Sequence, residues 1–120
     1  MWTVDIELIE VWLGGLDNNT YNQVLAALEL LQEIGPGLGR PLVDTVTASR
    51  HKNMKELRPG SAGRSEIRIL FAFDPQRRGI CLVAGDKQGK WDKWYRTNIP
   101  IADKHYDQHL ARLKKGSAHG

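Results

Sequence analysis

The stretch EIRILFAFDPQRRGICLVAG, residues 66–85, decides the fold. Ile67, Ile69, Phe71 and Phe73 alternate along its first half, and Leu70 and Ala72 between them are apolar too. Such a run reads as a strand lying centrally in a sheet. Asp74-Pro75 begins a turn, Gly79 ends it, and Ile80 to Ala84 forms the next strand. A simple hairpin with Phe73 opposite Ile80 sets Arg68 across from Gly85 and Glu66 across from Lys87. Side chains alternate across a strand, so Ile67, Ile69, Phe71 and Phe73 share one face, and Glu66, Arg68, Leu70 and Ala72 share the other.

Working outward, Val4, Ile6 and Leu8 alternate with acids and predict a first strand near 2–6. Ile9 to Leu13 suits a short helix closed by Gly14-Gly15. Asn19 or Thr20 caps the next helix, whose stripe is Tyr21, Val24, Leu25, Leu28 and Leu31, and Gly35-Pro36 stops it. GPGLGRPL is an irregular connection. Met54 to Arg58 is a short strand, followed by the turn PGSAG at 59–63. Pro100 opens a last helix with Ala102, Tyr106, Leu110 and Leu113 on one stripe and Asp103 in its first turn. The order β-α-α-β-β-β-α gives an α+β fold, a small sheet with helices segregated onto one face.

The 120 residues amount to one domain, 1–120, with 41% hydrophobic residues for a modest core. No run of 18 apolar residues occurs, and MWTVDIELIE lacks the basic start of a secretory signal. Cys81 is the single cysteine, which excludes a disulfide framework, fits a reducing cytoplasm and reads as packing. Net charge is +3, but it is split. Residues 1–39 hold six acids and no Lys or Arg; residues 40–120 hold all 17 basic residues and 8 acids, 17 − 8 = +9. That asymmetry points to a polyanionic partner.

The basic residues converge. Arg58, Arg64, Arg68 and Lys87 fall together on the open sheet face, relieved by Glu56 and Glu66. Like charges facing across a sheet cost some tenths of a kcal/mol, which a polyanion would relieve. Ordinary ion pairing with Glu56 and Glu66 is the alternative. Gly85 opposite Arg68 leaves room for the guanidinium or for a ligand backbone. The segment LVAGDKQGKWDKWYRTNIP, 82–100, then leaves the sheet as a long loop. Lys87, Lys90, Lys93 and Arg96 can meet phosphates, and Trp91 and Tyr95 can stack on bases, while Trp94 is better suited to plug the core. His51 is a possible base. His105 and His109, one helical turn apart, lack an evident third ligand for zinc, so no metal is expected.

Together, KNMKELRPGSAGRSEIRILFAF, LVAGDKQGKWDKWYRTNIPIADKHYDQHLA, EVWLGGLD and GPGLGRPLVD resemble the phage-derived, HigB-like branch of the RelE/ParE toxin superfamily. The resemblance spans nearly the whole chain and rests on the ordered combination of motifs. It implies a RelE-like fold and a cytoplasmic toxin of a type II toxin–antitoxin pair, an endoribonuclease cutting mRNA on the ribosome without metal or other cofactor. By position it implies that Arg68 contacts the scissile phosphate, that Arg58 and Arg64 are the basic positions of the preceding hairpin, and that Lys87 is the lysine of the turn after the last strand. Tyr95 stands where such toxins use a late aromatic or histidine. Lys87 or Tyr95, its pKa lowered by neighbouring cations, would handle a proton, and Arg58, Arg64, Lys90 and Arg96 would position RNA backbone. The late segment has no histidine, and the paired lysines of HigB relatives are split here as Lys87 and Lys90. Implied partners are a helix-turn-helix antitoxin, mRNA and the ribosome, operator DNA only through the antitoxin, and no membrane. The alternatives are a ParE-like, non-enzymatic gyrase poison and a non-toxic nucleic-acid-binding module.

Overall fold

A computed structural model describes residues 1–60 and 66–119 of the chain, with residues 117–119 described in backbone only. Five strands form one sheet: β1 (Thr3–Asp5), β2 (Val43–Thr45), β3 (Lys55–Leu57), β4 (Ile67–Phe73) and β5 (Arg78–Asp86). Their order is β1-β5-β4-β3-β2; β1 runs parallel to β5 and the other pairs are antiparallel. The helices are α1 (Glu10–Gly14), α2 (Asn18–Ile34) and α3 (Trp91–His119). The α+β class and the central place of β4 are as expected. The short strand β2 was not foreseen, because three residues, VDT, are too few for a period to show.

The helices do not lie on one face. α1 and α2 cover the side formed by Ile67, Ile69, Phe71 and Cys81, burying Ile9, Leu13, Val24, Ala27, Leu28 and Leu31. α3 covers the opposite side, where Leu70, Ala72, Ile80 and Leu82 meet Trp94, Ile99, Ala102 and Tyr106. A strand apolar on both faces demands two covers, which is why β4 is apolar from Ile69 to Phe73. Cys81 lies in the first core, where burial pushes its thiol up to about 12, as a packing residue's should be.

Register in the hairpin is half as expected. Phe73 pairs with Gly79 and Ala72 with Ile80, one residue off, but an irregularity between Leu70 and Phe71 restores the expected pairs beyond it. Arg68 therefore does face Gly85. The extra residue, Leu82, sits in the same core as Val83, as a bulge allows. At α2 the cap is Asp17, which accepts hydrogen bonds from Thr20 N at 2.8 Å and Thr20 Oγ1 at 3.0 Å. Tyr21 and Leu25, expected in the buried stripe, are exposed.

The largest correction concerns residues 91–100, expected as loop. The helix begins at Trp91, and Pro100 lies inside it. The turn at 86–90 starts it: Lys87 O accepts from Lys90 N at 2.9 Å and Trp91 N at 3.1 Å, and Lys90 O accepts from Trp94 N at 3.2 Å. Asp103 is thus mid-helix rather than in a first turn. It is buried and binds the 49–50 segment instead.

Candidate functional site

Strand pairing assembles one cluster at the β3–β4–β5 end of the α3-covered face. Glu56 pairs with Leu70 and so shares its side; Arg58, two residues on, shares it too. Lys87 N donates to Glu66 O at 3.0 Å, which extends the β4–β5 ladder to the expected Glu66–Lys87 level. Arg68 Nη1 donates to Ile67 O at 2.8 Å and Nη2 to Glu66 Oε2 at 3.3 Å, while its Nε lies 3.7 Å from Glu56 Oε1. Arg58 Nε donates to Glu56 Oε1 at 2.7 Å and Nη2 to Asp44 Oδ2 at 3.2 Å. Tyr95 Oη donates to the same Glu56 oxygen at 3.2 Å. Lys87 Nζ is 3.7 Å from Glu66 Oε2 and 3.9 Å from the centre of the Trp91 ring, with Tyr95 at 5.3 Å.

The cations converge, but the face is not open. The Arg68 and Lys87 side chains are 12% and 6% exposed, beneath the first turns of α3. Arg58, Arg68 and Lys87 are matched by Asp44, Glu56 and Glu66, so these six charges balance, and exposed Arg40 shares Asp44 at the edge. The space beside Gly85 is taken by Trp94, whose Nε1 would lie 2.8 Å from a Cβ built there. The glycine serves the helix, and not the guanidinium or a ligand. Trp94 is the core plug expected of it, and Trp91, Lys90 and Arg96 are exposed. Arg64 lies outside the described residues.

Two protonation tendencies follow. Burial first, and then the Arg68 charge, hold the Lys87 ammonium below the usual lysine range, in the expected direction. Tyr95 moves the other way. Burial raises it, and the Glu56 carboxylate and its hydrogen bond add to the rise, so the phenol stays protonated. A cavity of about 250 Å³ opens onto this cluster, lined by Glu56, Arg58 and Tyr95, by residues 45–48 and by Ile99. Arg68 and Lys87 stand behind that lining. Glu56 has a larger place in the cluster than its position in the sequence suggests. It looked like a charge-balancing residue, but it is the hub on which Arg58, Arg68 and Tyr95 meet. Only the strand register reveals that.

The histidines fall elsewhere. His51 Nε2 is 2.7 Å from Asp107 Oδ1 and its ring meets Tyr106 edge-on. His105 Nδ1 bonds Leu82 O at 2.8 Å, and His109 Nε2 bonds buried Asp74 Oδ2 at 2.8 Å. The last two turn to different partners. Among the described residues no three His, Cys, Asp or Glu side chains group as metal ligands, and no helix is long and apolar enough to cross a membrane.

Comparison with known proteins follows the same lines. The family model described as "Phage derived protein Gp49-like" matches residues 11–107. The chain is 61% identical over 113 residues to a Mycobacterium tuberculosis (strain ATCC 25618 / H37Rv) protein carrying the name "Putative toxin HigB2". That match covers 94% of this chain and 56% of the relative, so the chain spans little more than half of that protein's length. A second protein of the same strain, "Putative toxin HigB3", is 52% identical over 103 residues, covering 86% of this chain and 88% of the relative.

Proposed function

The chain belongs to the phage-derived Gp49-like family, among HigB-like members of the RelE superfamily, and from that premise we propose that it is the toxin of a toxin–antitoxin pair. Its proposed activity is endonucleolytic cleavage of mRNA on the ribosome by its own side chains, without a metal. The observation that carries this reading is the cavity lined by a carboxylate, a guanidinium and a phenol, with two further cations behind it.

RNA is cut when its 2′-oxygen attacks the adjacent phosphorus and the 5′-oxygen leaves. The protein must take one proton, supply another and stabilise charge on the nonbridging oxygens. Glu56, facing the cavity, takes the 2′-hydroxyl proton. Tyr95, held protonated, donates to the leaving 5′-oxygen. Arg58 meets the phosphate from the cavity wall. Once Glu56 has taken the 2′-hydroxyl proton, Arg68 and Lys87 behind it are no longer fully matched, and their charge stabilises the growing phosphate charge, where low dielectric makes each charge count for more. Lys90, Trp91 and Arg96, exposed at the start of α3, position the RNA strand; Arg64 is proposed to join them on its position in sequence. The partner is an antitoxin carrying a helix-turn-helix, through which alone operator DNA is bound, and the site of action is the cytoplasm.

The test is induced expression in bacteria with mapping of transcript 5′ ends. Wild type should arrest translation and create new ends within coding sequence. Arg68→Ala and Tyr95→Phe should lose both effects while remaining folded by circular dichroism. A fully toxic, cleaving Arg68→Ala protein refutes the site. One observation favours a second reading: the cluster is self-neutralised and largely buried, as in a binding protein that performs no chemistry. Growth arrest with a DNA-damage response and intact transcripts would identify that gyrase-poison reading.

A further inference from the structure

We propose that the groove beyond Tyr95 is a nucleobase pocket that seats one unpaired purine of single-stranded RNA beside the phosphate met by Arg58. This rests on the ribonuclease reading above and adds to it the feature that selects where the strand is cut.

The groove is a second cavity of about 500 Å³. It shares Ala48, Tyr95 and Ile99 with the cavity at Glu56 and Arg58, so the two cavities adjoin at the Tyr95 ring. Its walls are apolar, from Ala48, Ile99 and Pro100, and its edges carry Arg50 and Arg96. A nucleobase has that pattern: two apolar π-faces and a rim of hydrogen-bonding groups. Stacking on an aromatic ring is worth about 1–3 kcal/mol per base. The volume falls in the usual range for a small-ligand site, about 300–1,000 Å³, which suits one nucleotide and excludes a duplex.

The wall is fixed in advance. Asp103, buried on α3, accepts hydrogen bonds from Ser49 Oγ and from Arg50 N, which ties the 49–50 segment to the helix. Asp103 is 3% exposed and each of its oxygens already accepts one of these bonds, so it serves the wall rather than the base. Arg50 is held at the edge by Asp107, and exposed Arg96 makes no ion pair among the described residues. Guanidinium donors at the rim select bases with acceptors there. Guanine presents two adjacent acceptors there, O6 and N7, which a guanidinium fork meets together, and adenine presents N7, whereas a pyrimidine offers at most the single O4 of uracil. The donors also argue against a basic peptide as the occupant.

The test uses the full chain and short RNAs carrying a 2′-O-methyl group at the cut position, which blocks attack. Otherwise identical oligonucleotides place a purine or a pyrimidine beside that position, and tryptophan fluorescence reports affinity. Wild type should bind the purine series at least tenfold more tightly. Ala48→Trp, at an exposed position, fills the pocket and should bring the ratio within twofold while leaving the unfolding midpoint unchanged. Arg96→Ala should reduce the ratio with no change in fold. Equal affinities for the two series in wild type, or a ratio that Ala48→Trp leaves intact, overturns the pocket. So does binding of neither series at micromolar concentration, which leaves the groove to a protein segment. Transcript cleavage by wild type in cells is scored separately. If it persists when the pocket fails, only this inference falls; if it is absent, the ribonuclease reading falls too.

Discussion

Replacing Glu56 with Gln isolates what the central cluster contributes. The carboxylate is buried, 2.7 Å from Arg58 Nε and 3.7 Å from Arg68 Nε, and accepts from Tyr95 at 3.2 Å. At an effective dielectric of about 20, the Arg68 contact alone has a gross attraction of about 4–5 kcal/mol. Desolvation of the ions offsets much of that, and removing one partner of a buried pair typically costs about 3–5 kcal/mol because the other is stranded. Glutamine keeps an acceptor oxygen for Arg58, and Asp44 and Glu66 still serve the two guanidiniums. The expected net loss is therefore about 2–3 kcal/mol. For a chain of this size that lowers the unfolding midpoint by about 6–15 °C. Scanning calorimetry at neutral pH reads it directly, with Tyr95→Phe and the double variant completing a cycle. The Glu56–Tyr95 coupling should be about 0.5–1.5 kcal/mol. A midpoint shift below about 2 °C would mean that the carboxylate is effectively solvated. The network would then not bind α3 to β3, and the account of the site would fail at its foundation.

The other predictions test single contacts. Gly85→Ala forces a methyl to 2.8 Å from Trp94 Nε1; it should destabilise by about 1–3 kcal/mol in urea unfolding, and a neutral result would show that α3 sits further from the sheet. Lys87 has a folded pKa below its ordinary value, so the folded state binds fewer protons than the unfolded one and stability from this group rises with pH across that window. At neutral pH the buried ammonium is thus a net cost, and Lys87→Met should hold or raise the midpoint while abolishing transcript cleavage; a large drop refutes this. Burial would raise Asp74, but the hydrogen bonds from His109 and Arg78 N outweigh it and leave its pKa lowered. Its stabilisation is present above the ordinary carboxylate value of about 3.9 and is lost as pH falls through the lower folded value. Asp74→Asn should flatten the acid limb of the stability curve; an unchanged limb would mean that the His109–Asp74 bond contributes nothing.

What was legible in the sequence was whatever repeats with a period. The alternation in β4 announced its centrality, and Arg68 opposite Gly85 followed from counting back along a hairpin. The bulge that absorbs Leu82 left no trace in composition; the expected register was wrong at Phe73 and right at Arg68 only because the extra residue falls between them. The start of α3 was illegible for a different reason. Gly89, Asp92, Asn98 and Pro100 all argue against a helix by local preference, and Pro100 does so most strongly. Tertiary burial of Trp94, Ile99 and Ala102 overrides those preferences. Once the helix begins at Trp91, the open basic face becomes a covered one, and Glu56 changes from a neutralising neighbour into the hub of the cluster.

The covered cluster still has the marks of a working site, because local costs gather there. Arg68 Nε is buried without a hydrogen-bond partner, and Arg78 Nε at the hairpin turn is the only other such group among the described residues. The Lys87 ammonium is disfavoured by burial. Trp91, which packs on that ammonium, has φ +28°, where a side chain is strained. The α1–α2 core, by contrast, is made wholly of apolar side chains. Folding alone has no use for a buried lysine beneath a strained tryptophan, since an apolar residue at position 87 would pack under α3 without a charge to desolvate. Strain of this kind persists where surrounding structure enforces it, and it collects at functional sites. On the proposed ribonuclease reading the pairing has a physical role: Glu56 and Glu66 would hold the cations in place until a phosphate competed for Arg58 at the cavity wall, and the same carboxylate hub would accept the proton that cleavage releases.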